Sequence, residues 1–155
     1  MKRIFQVVIK PSELGRGLRD NIKSIIREKI IGDCCPQYGY VSWVDENSIQ
    51  IGDGVAQRYG GGVVFDIECD VDYIKPQKDD IIRGQISEIV SSGVFVTSGF
   101  LKILISKYAL PEGALIKVNS NIDIDGKILE KGDRVDVKII AVKYENKNFK
   151  ILGEF

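Results

Sequence analysis

Hydrophobic and polar positions along the chain change rhythm several times. Residues 3–10, RIFQVVIK, are rich in β-branched and aromatic side chains and predict a strand. The stretch KPSELGRG is a breaker-rich corner. From Leu18 to Ile31 apolar residues recur every three or four positions (Leu18, Ile22, Ile25, Ile26, Ile30). That spacing predicts a helix with one buried face, Arg19, Lys23 and Arg27 lying away from it, and Gly32 as its C-terminal cap. YGYVSWV and IQI read as strands about a DENS turn. VVFDIECDVDYI then alternates strictly: Phe65, Ile67, Cys69, Val71 and Tyr73 against Asp66, Glu68, Asp70 and Asp72. Such alternation predicts an antiparallel strand with one wet face.

The pattern breaks at KPQKDD, the expected boundary between residues 1–75 and 76–155. Beyond it only strands are evident: DIIRGQISEIV, GVFVTSG, LKILIS, DRVDVKIIAVKY and FKILGEF. Five short strands between tight turns suit a small closed barrel of the OB type. The expected fold class is therefore α+β, a strand–helix–meander domain followed by a five-stranded OB barrel.

Composition narrows the chemistry. The 155 residues are 44% hydrophobic and 28% charged, ordinary for a soluble globular protein, and no apolar run is long enough to span a membrane. An intracellular setting is expected. Three cysteines, two of them adjacent, make a poor disulfide framework. The chain contains no histidine, which removes Ser-His-Asp and Cys-His catalysis and leaves an enzyme only carboxylates and lysines. Acidic and basic residues number 22 each, and residues 76–155 carry 12 basic against 11 acidic. Neither half has the strong positive field of a protein that lives on nucleic acid, so any such contact is expected to be local and weak.

Five glycines fall between Gly52 and Gly62. The third glycine of a dinucleotide fingerprint would fall at Gln57, no glycine–lysine–Ser/Thr ending follows, and the loop opens a strand rather than a helix. A phosphate cradle is thus excluded. Two readings remain: a mobile hairpin tip, or a docking tip in which Val55, Arg58 and Tyr59 project among the glycines. The four carboxylates of the alternating strand are spaced too regularly along a straight backbone to converge on a metal. They form a solvated face or an acidic seat for a basic partner. Cys34-Cys35 reads as a buried or loop pair, and Trp43, in step with Val41, reads as core. No metal, cofactor or catalytic residue is assigned.

RGQISEIVSSGVFVTSGFLKILIS carries the most specific signal. A glycine, a strand, a corner glycine, an aromatic strand and a final LIS resemble the S-one-type RNA-binding barrel. The resemblance implies that Phe95 stacks on bases, with Lys102, Lys107, Tyr108 and Arg83 around it. Ser92 and Leu104 stand where family members carry an aromatic and a histidine. A single stacking platform implies weak binding of single-stranded RNA.

Taken in order, PSELG, REKI, QYGYV, IGDGVAQRYGGGVVFDIECDV and KPQKDDIIRGQISEIVSSGVFV resemble the stalk subunits of multisubunit RNA polymerases, the family of the seventh subunit of eukaryotic polymerase II and its archaeal E-prime counterpart. The resemblance spans the whole chain. It implies a non-catalytic subunit whose first half is a tip domain, a truncated RNP-like fold. That tip inserts at the base of the polymerase clamp against the largest subunit and a small shared subunit, biasing the clamp toward closure. The docking elements it implies are the loop Gly54–Gly62, with Gly54, Val55, Arg58, Tyr59, Gly60 and Gly61, and the corner holding Pro11 and Gly15. It also implies a small helical partner of the fourth-subunit type and a barrel that touches nascent RNA. The location would be the nucleus in a eukaryote, and the cytoplasm in an archaeon or for a cytoplasmic DNA virus. The segment PEGALIKVNSNIDIDGKILEKG reads as a shortened insertion before the fourth barrel strand. The competing reading is a free-standing RNA-binding OB module of translation or RNA decay, and a third is an enzyme acting through carboxylates.

Overall fold

In the computed structural model, which describes residues 1–155, the N-terminal alternating segment forms β1 (Lys2–Ile9). A single 3₁₀ turn at Pro11–Glu13 leads to α1 (Leu18–Ile25), which continues as a wider π turn over Ile26–Ile30. Ile22, Ile26 and Ile30 are spaced by four, slightly more than a 3.6-residue turn. The Ile31 N–H accordingly donates to the Ile26 carbonyl, five residues back, and the widened turn keeps Ile30 on the buried face. Strands β2 (Cys34–Cys35), β3 (Gly39–Val44), β4 (Gln50–Ala56) and β5 (Val63–Ile74) complete this unit, Met1–Ile74.

The acidic-faced strand β5 is the spine of the sheet. β1 runs antiparallel along one side of it, while β4 and β3 share the other side. The inward residues of β5 (Ile67, Cys69, Val71) join Val7, Ile9, Val41, Val44 and Ile49 and the helical isoleucines in one core. Each fully buried isoleucine contributes on the order of 1.5–3 kcal/mol. The helix therefore covers one sheet face and leaves Asp66, Glu68, Asp70 and Asp72 on the other. A bidentate pair from Arg27 to Glu46, at 2.5 and 2.8 Å, ties the end of the helix to the turn before β4. The arginine beside it holds the Glu46 carboxyl below its ordinary range.

Trp43 corrects the reading of it as core. Val41 is 2% exposed and Trp43 is 54% exposed. Between them the register slips, Val41 facing Tyr73 and Trp43 facing Asp72, so a bulge at Ser42 turns the indole to the wet side. Burial pushes the thiols of Cys34 and Cys69 up, with Cys35 adding to the first and Asp70 and Glu68 to the second, the opposite of what an activated thiol needs.

The second unit, Lys75–Phe155, contains β6 (Ile81–Val90), β7 (Gly93–Ser98), β8 (Leu101–Ser106), β9 (Leu115–Lys117), β10 (Asn121–Ile124), β11 (Lys127–Glu130), β12 (Arg134–Glu145) and β13 (Asn148–Glu154). Five of them close a barrel in the order β12-β13-β8-β7-β6, with β13 and β8 parallel. Ile86, Val94, Val96, Ile103, Ile105, Val137 and Ile139 fill it. β9, β10 and β11 form a separate three-stranded sheet. The shortened insertion is therefore folded, a feature the strand count of five missed. Its hairpin turns on Asp125-Gly126, both at positive φ, the dipeptide favoured by two-residue hairpin turns. No helix is long and apolar enough to cross a membrane.

Candidate docking end and nucleic-acid interface

At one end of the first unit β4 and β5 are joined by a hairpin. β4 runs on to Ala56, so Gly54 and Val55 belong to the strand, and the tip proper is residues 57–62. The Gln57 N–H closes it on the Gly62 carbonyl at 2.8 Å. Gly54 is required for space, since a Cβ there would meet the Phe65 ring and Val63 at 2.7 Å. Gly60 and Gly61 are required for conformation, with φ of +87° and +70°. Around them Val55 is 67% and Tyr59 82% exposed, and Arg58 is exposed with no ion pair.

The second expected element lies beside the first. A Cβ on Gly61 would stand 3.5 Å from the Pro11 ring, so the corner and the hairpin tip are neighbours. Gly15, at φ +99°, turns the chain toward the helix beyond that corner. Val8, opposite Val64 on β5, and Leu14 add exposed apolar surface to the same end. The structure thus brings Pro11 together with the glycine-rich tip, residues separated by about fifty positions in sequence.

On the barrel, β7 and β8 turn Phe95, Thr97, Lys102 and Leu104 outward. Strand register sets Phe95 opposite Leu104 and Thr97 opposite Lys102. The Lys102 ammonium lies over the Phe95 ring, 4.5 Å from its centroid. This pair is the centre of the expected RNA site: a half-buried aromatic ring with a cation on it. Lys107 and Tyr108 form a second pair, 5.1 Å from ammonium to centroid, in the turn after β8. Its backbone is anchored by the Lys107 N–H donating to the Ser92 carbonyl. Tyr108 is 87% exposed.

Arg83 stands apart from this cluster. It lies on β6 and donates from Nε to Asp136 on β12 at 3.0 Å, while Glu88 occupies the β6 position facing Phe95. The carboxylate opposite Phe95 opposes phosphate on that side. Sequence reasoning missed two exposed residues: Trp43, hidden by the bulge, and Arg134 at the start of β12.

Residues 75–151 match the model of the S1 RNA binding domain. DNA-directed RNA polymerase II subunit rpb7 of Schizosaccharomyces pombe is 23% identical over 141 residues, covering 88% of this chain and 82% of that protein. The subunit RPB7 of Glycine max is 26% identical over 143 residues, covering 88% and 80%. That of Saccharomyces cerevisiae is 24% identical over 118 residues, covering 76% and 69%. Similarity that runs across both units, with an S1 domain in the second, decides the matter. The chain is a homologue of the stalk subunits of multisubunit RNA polymerases.

Proposed function

We propose that this chain, a non-catalytic subunit within an RNA polymerase complex, docks through the end of its first unit and touches transcript with its barrel. The observation that carries the docking half is the meeting of the Pro11 corner with the Gly60-Gly61 tip beneath exposed Val55 and Tyr59. Two fixed backbone turns presenting an aromatic, an arginine and an apolar side chain have the composition of a hot-spot cluster. Seated at the base of the clamp against the largest subunit and a small shared subunit, such a tip favours whichever clamp state it contacts more fully, and so biases the clamp toward closure.

The open face of the first unit suits the small helical partner. Ile4, 66% exposed, and Trp43 supply apolar anchors among Asp66, Glu68, Asp70 and Asp72, where basic residues of a partner find counter-charges. The tip domain in this reading is a truncated RNP-like fold. The barrel adds a weak, salt-sensitive RNA contact centred on Phe95 and Lys102. The setting is intracellular, and nuclear in a eukaryote.

Affinity purification of the tagged full chain from its native source tests the assignment. Large polymerase subunits and a small helical protein are expected in the eluate. Ribosomal or RNA-decay components in their place would favour a free-standing RNA-binding module.

A further inference from the structure

One row of side chains crosses four strands of the barrel wall. Lys102 on β8 faces Thr97 on β7, Thr97 faces Gln85 on β6, and Gln85 faces Arg134 on β12. At about 4.8 Å per strand the row spans roughly 14 Å from Lys102 to Arg134. Its far end opens into a cleft of about 400 Å³ lined by Arg83, Gln85, Thr97, Ser98, Gly99 and Arg134.

The charges in this cleft differ in their commitments. The Arg134 guanidinium has no carboxylate partner. Arg83 gives Nε to Asp136 at 3.0 Å, and its remaining donors are not spent on that bond. The hydroxyls of Ser98 and Thr97 are further donors of the kind that phosphate oxygens accept. By contrast Lys143 and Lys150, on the other flank of Lys102, both lie against Glu145 at 3.8 and 3.3 Å. Glu88 blocks the third direction from Phe95. Two ways out of the Phe95–Lys102 pair end on a cation without a carboxylate partner, the turn holding Lys107 and the row toward Arg134, and the row toward Arg134 opens into the cleft.

We propose that the Arg134–Arg83–Ser98 cleft is a phosphate-binding subsite for single-stranded RNA, the backbone running from Lys102 along the Thr97–Gln85 row to Arg134. This rests on the RNA-contact reading above and gives it a direction. The geometry sets the ligand class: a guanidinium fork and hydroxyls without an aromatic platform hold phosphate, not base. The path covers a few nucleotides, at the lower end of the ~4–16 that one OB fold engages.

Fluorescence anisotropy of a labelled oligouridylate with the full chain, titrated across salt concentrations, tests the path. Arg134→Gln is expected to weaken binding about threefold to tenfold at low salt and to lower the slope of log affinity against log salt by about 0.7, one phosphate contact. Arg134→Lys should restore most of the slope, which a merely structural arginine would not require. If Arg134→Gln binds with unchanged affinity and slope while Phe95→Ala weakens binding, the path is overturned and the RNA-contact reading stands. If the unaltered chain shows no binding, both fall. Competition by uridine monophosphate down to the level of the Arg134→Gln variant would place a lone phosphate in the cleft and overturn the strand path.

Discussion

The two units offer partners surfaces of opposite kinds. The end of the first unit is apolar and fixed: Val55, Tyr59, Val8 and Leu14 surround two turns whose backbone geometry demands glycine. The barrel wall of the second is polar and sparse, a single aromatic face with cations in rows around it. An apolar cluster with one arginine suits a permanent protein neighbour, because desolvation of aromatics provides affinity that salt does not screen. Lone cations beside one ring suit a passing polyanion, whose contacts are weak, additive and salt-dependent. On the proposed function, the two surfaces would differ in how they respond to salt.

The largest expected effect comes from separating the two surfaces at the core. Ile67→Ala removes a fully buried side chain from the first unit and should cost about 2–5 kcal/mol. Thermal unfolding should drop steeply and polymerase association with it, while RNA affinity, owned by the barrel, changes little. A matched loss of RNA affinity would break the comparison. Next, replacing Arg58 and Tyr59 together with alanine should leave the melting temperature unchanged and weaken docking by about 2 kcal/mol or more, measured as binding to core polymerase. The loss should persist at high salt. Phe95→Ala should cost about 1–3 kcal/mol of RNA affinity for the stacked base and leave docking intact.

The smallest effect concerns Arg27 and Glu46. The Glu46 carboxyl titrates below its ordinary value in the folded chain, through its hydrogen bond to Arg27 first. A depressed folded pKa means the pair stabilises above the ordinary carboxylate range and loses that contribution as pH falls through the folded value. Glu46→Gln should therefore lower the melting temperature slightly near neutral pH, and the difference should vanish in acid. A difference independent of pH would show that the pair acts by packing alone.

Much of this was legible in the chain. Strict alternation in residues 63–74 and the isoleucine spacing of residues 22–30 report burial directly, and both elements form where those periods place them. What escaped was set by single-residue events. One bulge at Ser42 reverses the face of Trp43, and no period records an insertion of one. The small β9–β11 sheet was signalled by Asp125-Gly126, with Ile122 and Ile124 alternating before it, yet its strands are only three or four residues long. The site was legible as residue types more than as a place. Phe95 and Lys102 stand seven residues apart in sequence and meet because a tight turn pairs their strands. Arg83 and Arg134 meet only through the β6–β12 pairing that closes the barrel, a contact across about fifty residues that no local pattern encodes.

The contrast between the two surfaces can be read in one experiment. A photo-reactive Tyr59→p-benzoylphenylalanine variant and a Phe95→p-benzoylphenylalanine variant would each be incorporated into transcribing polymerase and irradiated. Protein crosslinks to a large polymerase subunit from position 59 and RNA crosslinks from position 95 are the predicted result. Crosslinks to RNA from position 59, or none to polymerase protein, would contradict the account.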